Sequence, residues 1–271
     1  MEILWRIFGV VVLLVLAAFG AAYVCFRMTF YISDKEKQEN ALRQLPEGKE
    51  FIPYHGAITA WQKEVKELPC KEFAIRSFDG LTLKGKYYES ISGAPIELML
   101  HGYRGNAHRD MSGGVQRSFA CGHNAFLMEH RGSGASEGNV ISFGINERKD
   151  CLAWIRLIIE QFGPEVQIIL TGISMGAATA IMTAGEDLPP NVVGVLADCG
   201  YTTAPAIIKK VIAEMGLPAN LLYPLVRLGA ILYGGFDPNK ADCPKALANA
   251  TLPIIFFHGE TDDFVPCEMS R

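Results

Sequence analysis

One short segment constrains this chain more than any other: Gly172-Ile173-Ser174-Met175-Gly176, set between Val166–Thr171 and Ala177–Met182. The upstream run is apolar and β-branched, as expected for a strand buried on both faces. The downstream run, rich in alanine, is a good helix start. A chain that passes from buried strand to helix in so few residues must turn sharply. Flanking glycines allow the close backbone approach such a turn needs, and the serine hydroxyl is lifted clear of the sheet. The helix N-terminus behind Ser174 favours negative charge developing there. Gly-x-Ser-x-Gly alone is a weak signal, and a glycine-rich turn with an incidental serine is the plain alternative. The strand and helix on either side favour a nucleophile.

The surrounding pattern repeats the alternation. Further strand candidates are Ile96–Leu100, 124–129, 192–197 and 253–257, with helices expected at about 108–120, 145–162 and 175–185. Upstream, 72–76 and 81–88 flank Asp79-Gly80, a turn signal that predicts a hairpin. Strands separated by helices imply an α/β fold, a mostly parallel sheet covered on both faces. With 271 residues, 49% of them apolar, the chain can bury such a core. Residues 201–250 break the rhythm with two apolar pieces and prolines at 218, 224, 238 and 244. So long an excursion predicts a helical insertion, a lid over the sheet edge.

The N-terminus carries the second strong signal. No charged residue lies between Ile7 and Phe26, and about 20 apolar residues suffice for a helix to cross a bilayer. A cleaved signal peptide has a shorter apolar core and a small-x-small site, which Ala22-Tyr23-Val24-Cys25 does not match. Residues 1–32 are thus expected to be a single-pass anchor, 33–70 a polar stalk with a Pro-Glu-Gly turn at 46–48 and an entry helix near 58–68, and 71–271 the globular domain. Only Arg6 precedes the span, whereas Arg27, Lys35, Lys37 and Arg43 follow it, which puts the domain on the cytoplasmic side. The seven cysteines are scattered, with no C-x-x-C pair, so no zinc or redox motif is expected. A net charge of −4 without a basic block gives no nucleic-acid footprint.

Two further loops bear on Ser174. Ile96–Leu100 runs into His101-Gly102-Tyr103-Arg104-Gly105-Asn106. A tetrahedral oxyanion needs two preorganised N–H donors, one expected from Met175 and the other from this loop, at Tyr103. His101 and Gly102 are expected to support the loop, with His101 a brace rather than a base. After the last strand candidate comes His258-Gly259-Glu260-Thr261-Asp262-Asp263, in the chain position where the acid of a Ser–Asp–His order belongs.

Taken together, HGYRGN, Arg131-Gly132-Ser133-Gly134-Ala135-Ser136-Glu137-Gly138, GISMG and HGETDDFVP resemble the α/β-hydrolase superfamily from about Lys71 onward. The similarity is greatest to bacterial members described as esterase-like or serine-aminopeptidase-like. The resemblance implies an α/β-hydrolase fold with Ser174 as nucleophile, Gly172 and Gly176 as supports of its turn, and Asp262, four residues after His258, as the acid. Asp263 and Asp198 are its rivals.

One element is unmatched. The family base is a histidine in a loop beyond the acid, yet the histidines here stand at 55, 101, 108, 123, 130 and 258, all before Asp262. The expectation is that the last strand, the histidine loop and a final helix are absent from this chain, which by itself should be nearly inactive. For the complete protein the resemblance implies hydrolysis of a small or lipid-like acyl ester through an acyl-enzyme on Ser174, without metal or other cofactor. The alternatives are a peptidase of the same superfamily and a non-catalytic membrane-bound binding protein. Oligomeric state is not legible.

Overall fold

The computed structural model describes every residue except Gln44, Glu47 and Gly48, and not the side chains of Lys49 and Glu50. Glu47 and Gly48 of the turn expected at 46–48 therefore lie outside the described residues. Strands β1 (Lys71–Arg76), β2 (Thr82–Tyr88), β3 (Ile96–Leu100), β4 (Asn124–Met128), β5 (Ile168–Ile173), β6 (Val192–Asp198) and β7 (Ile254–Phe257) form one sheet in the order β1-β2-β4-β3-β5-β6-β7. The hairpin β1–β2 joins β4 antiparallel, and every later pairing is parallel.

The helices are α1 (Glu2–Thr29), α2 (Asp34–Leu42), α3 (His55–Glu67), α4 (Ala107–Ala120), α5 (Glu147–Phe162), α6 (Met175–Ala184), α7 (Ala204–Glu214), α8 (Ala219–Gly229) and α9 (Cys243–Leu247). Several start where side chains satisfy otherwise unpaired N–H groups. Asn106, Thr203 and Asp242 accept from Arg109 N, Ala206 N and Lys245 N.

The period-2 alternation of the strands sorts the core into two layers. Leu98, Leu100, Phe126 and Met128 point to one face, where they join Trp154 of α5 and Ala177 and Ile181 of α6. Met99, Ala125 and Leu127 point to the other, against Val65 of α3 and Met111 and Val115 of α4. Both faces of the central strands are buried, which is why their sequences are apolar throughout. The insertion is α7, α8 and α9, with a π-helical turn over Ala230–Gly234 following α8.

The polar segment after α1 is no free stalk; it is bonded to the domain. Phe30 and Ile32 are fully buried, and Ile32 N and Ile141 N donate to Asn139 O and Phe30 O, each at 2.8 Å. Ser33 and Glu36 form a reciprocal capping box on α2, Lys37 donates to Gly138 O at 2.9 Å, and Asn106 Nδ2 donates to Asn40 O at 3.0 Å. On α3, Trp61 packs against Gly113, where an added Cβ would stand 3.0 Å from the ring. These partners are about 50 to 110 positions apart in sequence, so polarity alone reads the segment as exposed.

α1 is long and apolar enough to cross a bilayer, by length and composition. Its C-terminal end crosses α8 in close contact. A Cβ added to Gly229 would stand 2.2 Å from Ala22 O and 3.1 Å from Phe26 Cβ, so only glycine permits this backbone approach. Gly229→Val should force the helices apart at a cost of about 1–3 kcal/mol. Hydrogen exchange should then quicken about tenfold or more over residues 30–32 and 139–141, the strip tied to the end of α1, with β3–β5 amides unchanged. Unaltered exchange in that strip would contradict the docking.

The ends of β3 and β4 are locked by two buried histidines. His130 N donates to His101 Nε2 and His130 Nε2 donates to His101 O, both at 3.1 Å, with the rings 4.5 Å apart. Burial, reinforced by His101 and Arg131, holds the His130 pKa well below 6.5. The unfolded chain takes up this proton near pH 6.5 and the folded chain only at lower pH, so stability is lost as pH falls below 6.5. The slope from one such group is at most about 1.4 kcal/mol per pH unit. The unfolding midpoint should drop more steeply between about pH 7.5 and 5.5 in the wild type than in His130→Gln; equal slopes would be the contrary result.

Candidate active site

β5 ends at Ile173 and α6 begins at Met175, leaving Ser174 alone at the turn with φ 53° and ψ −116°. A non-glycine residue in that region is strained by about 1–3 kcal/mol and persists only where its surroundings enforce it. Here Ser174 N donates to Asp198 O at 2.8 Å on neighbouring β6, and Ala178 N donates to Ser174 O at 3.0 Å. The flanking glycines are obligatory. A Cβ on Gly172 would lie 2.3 Å from Gly176 C, and one on Gly176 would lie 2.0 Å from Leu100 O at the end of β3. The turn is thus wedged between β3 and β6, with Ser174 at the carboxyl edge of the sheet.

The loop after β3 lies against this serine. A Cβ on Gly102 would stand 3.8 Å from Ser174 Cβ. Gly102 N donates to Asp110 Oδ2 at 3.1 Å, and Gly105 N to Gly102 O at 3.1 Å. The ring of His101, fully buried, donates from Nδ1 to Gly102 O at 2.9 Å while Nε2 accepts from His130 N. Both ring nitrogens are used within the protein, so this histidine holds the loop. Among the described residues, Tyr103 N–H and Met175 N–H donate to no acceptor.

The same loop is fastened to α1. Tyr103 Oη donates to Thr29 O at 2.7 Å, and Arg104 Nη2 donates to Met28 O at 3.0 Å and Tyr31 O at 2.9 Å. Arg104, itself at φ 51°, also pairs with Glu36 at 3.5 Å. The Glu36 carboxyl, accepting from the Ser33 backbone and hydroxyl, is held below the usual glutamate range. Sequence reading does not find this joint, because an arginine and a carbonyl more than 70 residues apart leave no spacing signal.

Two hollows meet at Ser174. One, of about 260 Å³, is almost wholly apolar and lies between the end of α1 (Cys25, Met28), α7 (Ile207, Val211) and α8 (Leu222, Val226). The other, of about 370 Å³, lies between α3 and α4 and includes Trp61, Arg109 and Asp110. A larger hollow of about 640 Å³, beside Tyr88 and Glu129, does not reach Ser174. Among the described residues no group of three histidine, cysteine or acidic side chains could hold a metal ion.

The loop after β7 is built around Asp262. Its Oδ1 accepts from Phe264 N at 3.0 Å and Val265 N at 2.8 Å, and its Oδ2 lies 3.7 Å from His258 Nε2. His258 is occupied at both nitrogens, by Ser270 Oγ and Val265 O, each at 2.6 Å. Asp198 ends β6 beside this loop. Desolvation raises its pKa, while His258 opposes the shift. Asp263 contributes only its carbonyl, which accepts from Lys210 at 2.6 Å. No described histidine ring is hydrogen-bonded to the Ser174 hydroxyl.

No family model matches the chain. It is 24% identical over 255 residues to an uncharacterized protein of Bacillus subtilis (strain 168), YqkD, spanning 93% of this chain and 80% of that protein. Among solved structures it is similar to an esterase of Pyrococcus furiosus, with a TM-score of 0.62, 22% identity, and coverage of 77% of this chain and 76% of that one. An α/β hydrolase of Vibrio vulnificus matches at a TM-score of 0.55 and 18% identity, over 83% and 76% of the two chains. The acylaminoacyl peptidase of Pyrococcus horikoshii matches at 0.53 and 18%, over 77% of this chain and 35% of that one. With the strand order, the serine turn between β5 and α6 and the helical insertion after β6, these likenesses establish that the chain has the α/β-hydrolase fold.

Proposed function

We propose that this protein is a membrane-anchored serine hydrolase that cleaves an acyl ester through an acyl-enzyme on Ser174. The observation that carries this reading is a pair of N–H groups, Tyr103 and Met175, that donate to no acceptor among the described residues and lie near a strained serine at the meeting of two hollows. Backbone donors left unpaired near a nucleophile are what a developing oxyanion requires, and each is worth roughly 3 kcal/mol in the transition state when well placed. Met175 N–H is held before reaction by the wedge that strains Ser174, and Tyr103 N–H by the bonds of its loop to Asp110, His101 and α1, so little reorganisation is needed as charge forms.

In this reading Ser174 Oγ attacks the ester carbonyl and Tyr103 N–H and Met175 N–H bind the oxyanion. The acyl chain lies in the apolar hollow and the alcohol departs on the Trp61 side. Asp262 orients the base: two backbone N–H groups hold Oδ1 and leave Oδ2 for an imidazole N–H. The base must be a histidine other than His101 and His258, whose ring nitrogens are engaged. The almost wholly apolar lining of the acyl-side hollow favours an ester of a hydrocarbon acid over a peptide. The esterase likeness agrees with this.

The anchor reading rests on α1. A cleaved leader would remove Cys25, Met28 and Thr29 from the wall of the hollow, whereas a retained span keeps it closed. The bases that follow the span, Arg27, Lys35, Lys37 and Arg43, favour the cytoplasmic side for the domain.

A fluorophosphonate probe should label the full-length protein in membranes, and Ser174→Ala should abolish labelling while leaving the fold intact by circular dichroism. Absence of labelling in folded wild-type protein would sink the hydrolase reading and favour a binding protein on the same fold.

A further inference from the structure

α1 is covered unevenly. Its large apolar side chains from Ile3 to Leu16, and Phe19, stand exposed, whereas Ala22 and Phe26 are buried. The cover comes from the insertion. Gly229 of α8 meets Ala22, Tyr233 of the π-turn donates to Phe19 O at 3.2 Å, and the Tyr233 ring packs on Tyr23 and Phe26 at centroid separations of 5.2 and 6.0 Å. At 1.5 Å per residue the bare stretch from Ile3 to Phe19 is about 25 Å long, close to the roughly 30 Å of a hydrocarbon core. A helix spanning the bilayer with that stretch brings the α8–π-turn edge to the headgroup–acyl boundary.

The chemistry of that edge fits the level. From Met215 to Phe236 the one charged residue is Arg227, and Asp237 neutralises it through bonds of 2.9 and 2.7 Å. Met215, Leu217, Leu221, Ile231, Leu232 and Tyr233 are exposed, Leu221 to 71%. A contiguous apolar face of this kind marks an interaction site. Tyr23, Tyr233 and Tyr31 gather beside Arg27, whose guanidinium lies 4.0 Å from the Tyr31 ring. Such a belt of tyrosine and a basic residue belongs at a membrane–water interface.

The hollow beside Ser174 opens at this edge. Met28, Met215 and Leu217 are exposed on it and also line the hollow, with Ser174 at the inner end. Its volume of about 260 Å³ falls just below the roughly 300–1,000 Å³ of common ligand sites, which suits one hydrocarbon chain rather than a bulky group.

We propose that the α8–π-turn edge is embedded in the bilayer beside α1, and that a single acyl chain of a membrane-resident ester passes laterally from the lipid into the hollow at Ser174. The embedded edge rests on α1 spanning the bilayer, and the ester on the serine-hydrolase reading.

Two arms separate these dependences. In the first, full-length Ser174→Ala protein carries an environment-sensitive fluorescent amino acid at Leu221, Leu232 or, as a control, exposed Ile91 on the turn before β3. It is reconstituted in phosphatidylcholine–phosphatidylglycerol vesicles containing phospholipid brominated near the top of the acyl chain. Fluorescence at 221 and 232 should be quenched and that at 91 unaffected. Quenching at 221 and 232 no greater than at 91 would overturn the embedded edge, whatever the chemistry at Ser174.

In the second arm, Leu221→Glu/Leu232→Glu should slow hydrolysis of a long-chain ester dissolved in the vesicles by about tenfold or more, while a short soluble ester is cleaved within about twofold of the wild-type rate. Equal loss on both esters, or on neither, would overturn lateral entry. If the wild type cleaves neither ester, the serine-hydrolase reading fails and entry of an ester fails with it, while the quenching result still decides the embedded edge.

Discussion

Arg104 and Tyr103 join the last turn of α1 to the loop that faces Ser174. The guanidinium donates to the carbonyl of Met28 in the helix and to that of Tyr31 just beyond it, and the phenol donates to Thr29 O. Carbonyls at a helix C-terminus lack intrahelical partners and carry partial negative charge, so a cation there satisfies both needs. The joint also fixes the backbone at Tyr103 and Arg104, while Gly102 before them is held by Asp110. Pocket wall, loop position and helix anchorage therefore stand or fall together. A helix that would serve as a tether through hydrophobicity alone becomes, over its last two turns, part of the site.

The serine turn depends on a second constraint, the packing of backbone against backbone. Gly176 rests against the end of β3, Gly172 against Gly176, and Ser174 N is spent on β6. Three adjacent parallel strands thus impose the unfavourable conformation of Ser174 from both sides. The strain is local and the compensation is distributed through the sheet, where Leu98, Leu100 and Leu170 are fully buried. That arrangement keeps two N–H donors without an acceptor among the described residues, a state a less rigid loop would relax by bonding to itself.

Features encoded in contiguous residues were legible. The hairpin follows from Asp79-Gly80 between alternating runs. The five later strands follow from short apolar runs, and the serine turn from glycines between strand and helix. The insertion was visible as an interruption too long for a crossover. What escaped is non-local. Polarity reads 33–69 as a stalk because its bonding partners lie elsewhere in the chain: Lys37 on Gly138, Asn106 on Asn40, Trp61 on Gly113. The apolar run of α1 is equally apolar where it stands exposed and where it meets α8, so hydropathy cannot mark the point at which one gives way to the other. Gly229 marks the crossing by its close approach to Ala22, and a single glycine in an apolar helix has many meanings. Among the carboxylates, the resemblance implies Asp262, and the two N–H groups received by its Oδ1 give it a fixed second oxygen.

The central claim, that the end of α1 is a wall of the acyl site, is tested most directly by a structure of the full-length protein in a lipid nanodisc after reaction with a long-chain alkyl fluorophosphonate. The alkyl chain bound through phosphorus to Ser174 is expected between Cys25 and Met28 of α1 and Val211 and Val226 of the insertion, pointing toward Met215 and Leu217. An alkyl chain lying instead beside Trp61 and Arg109, with α1 displaced from Arg104, would contradict it.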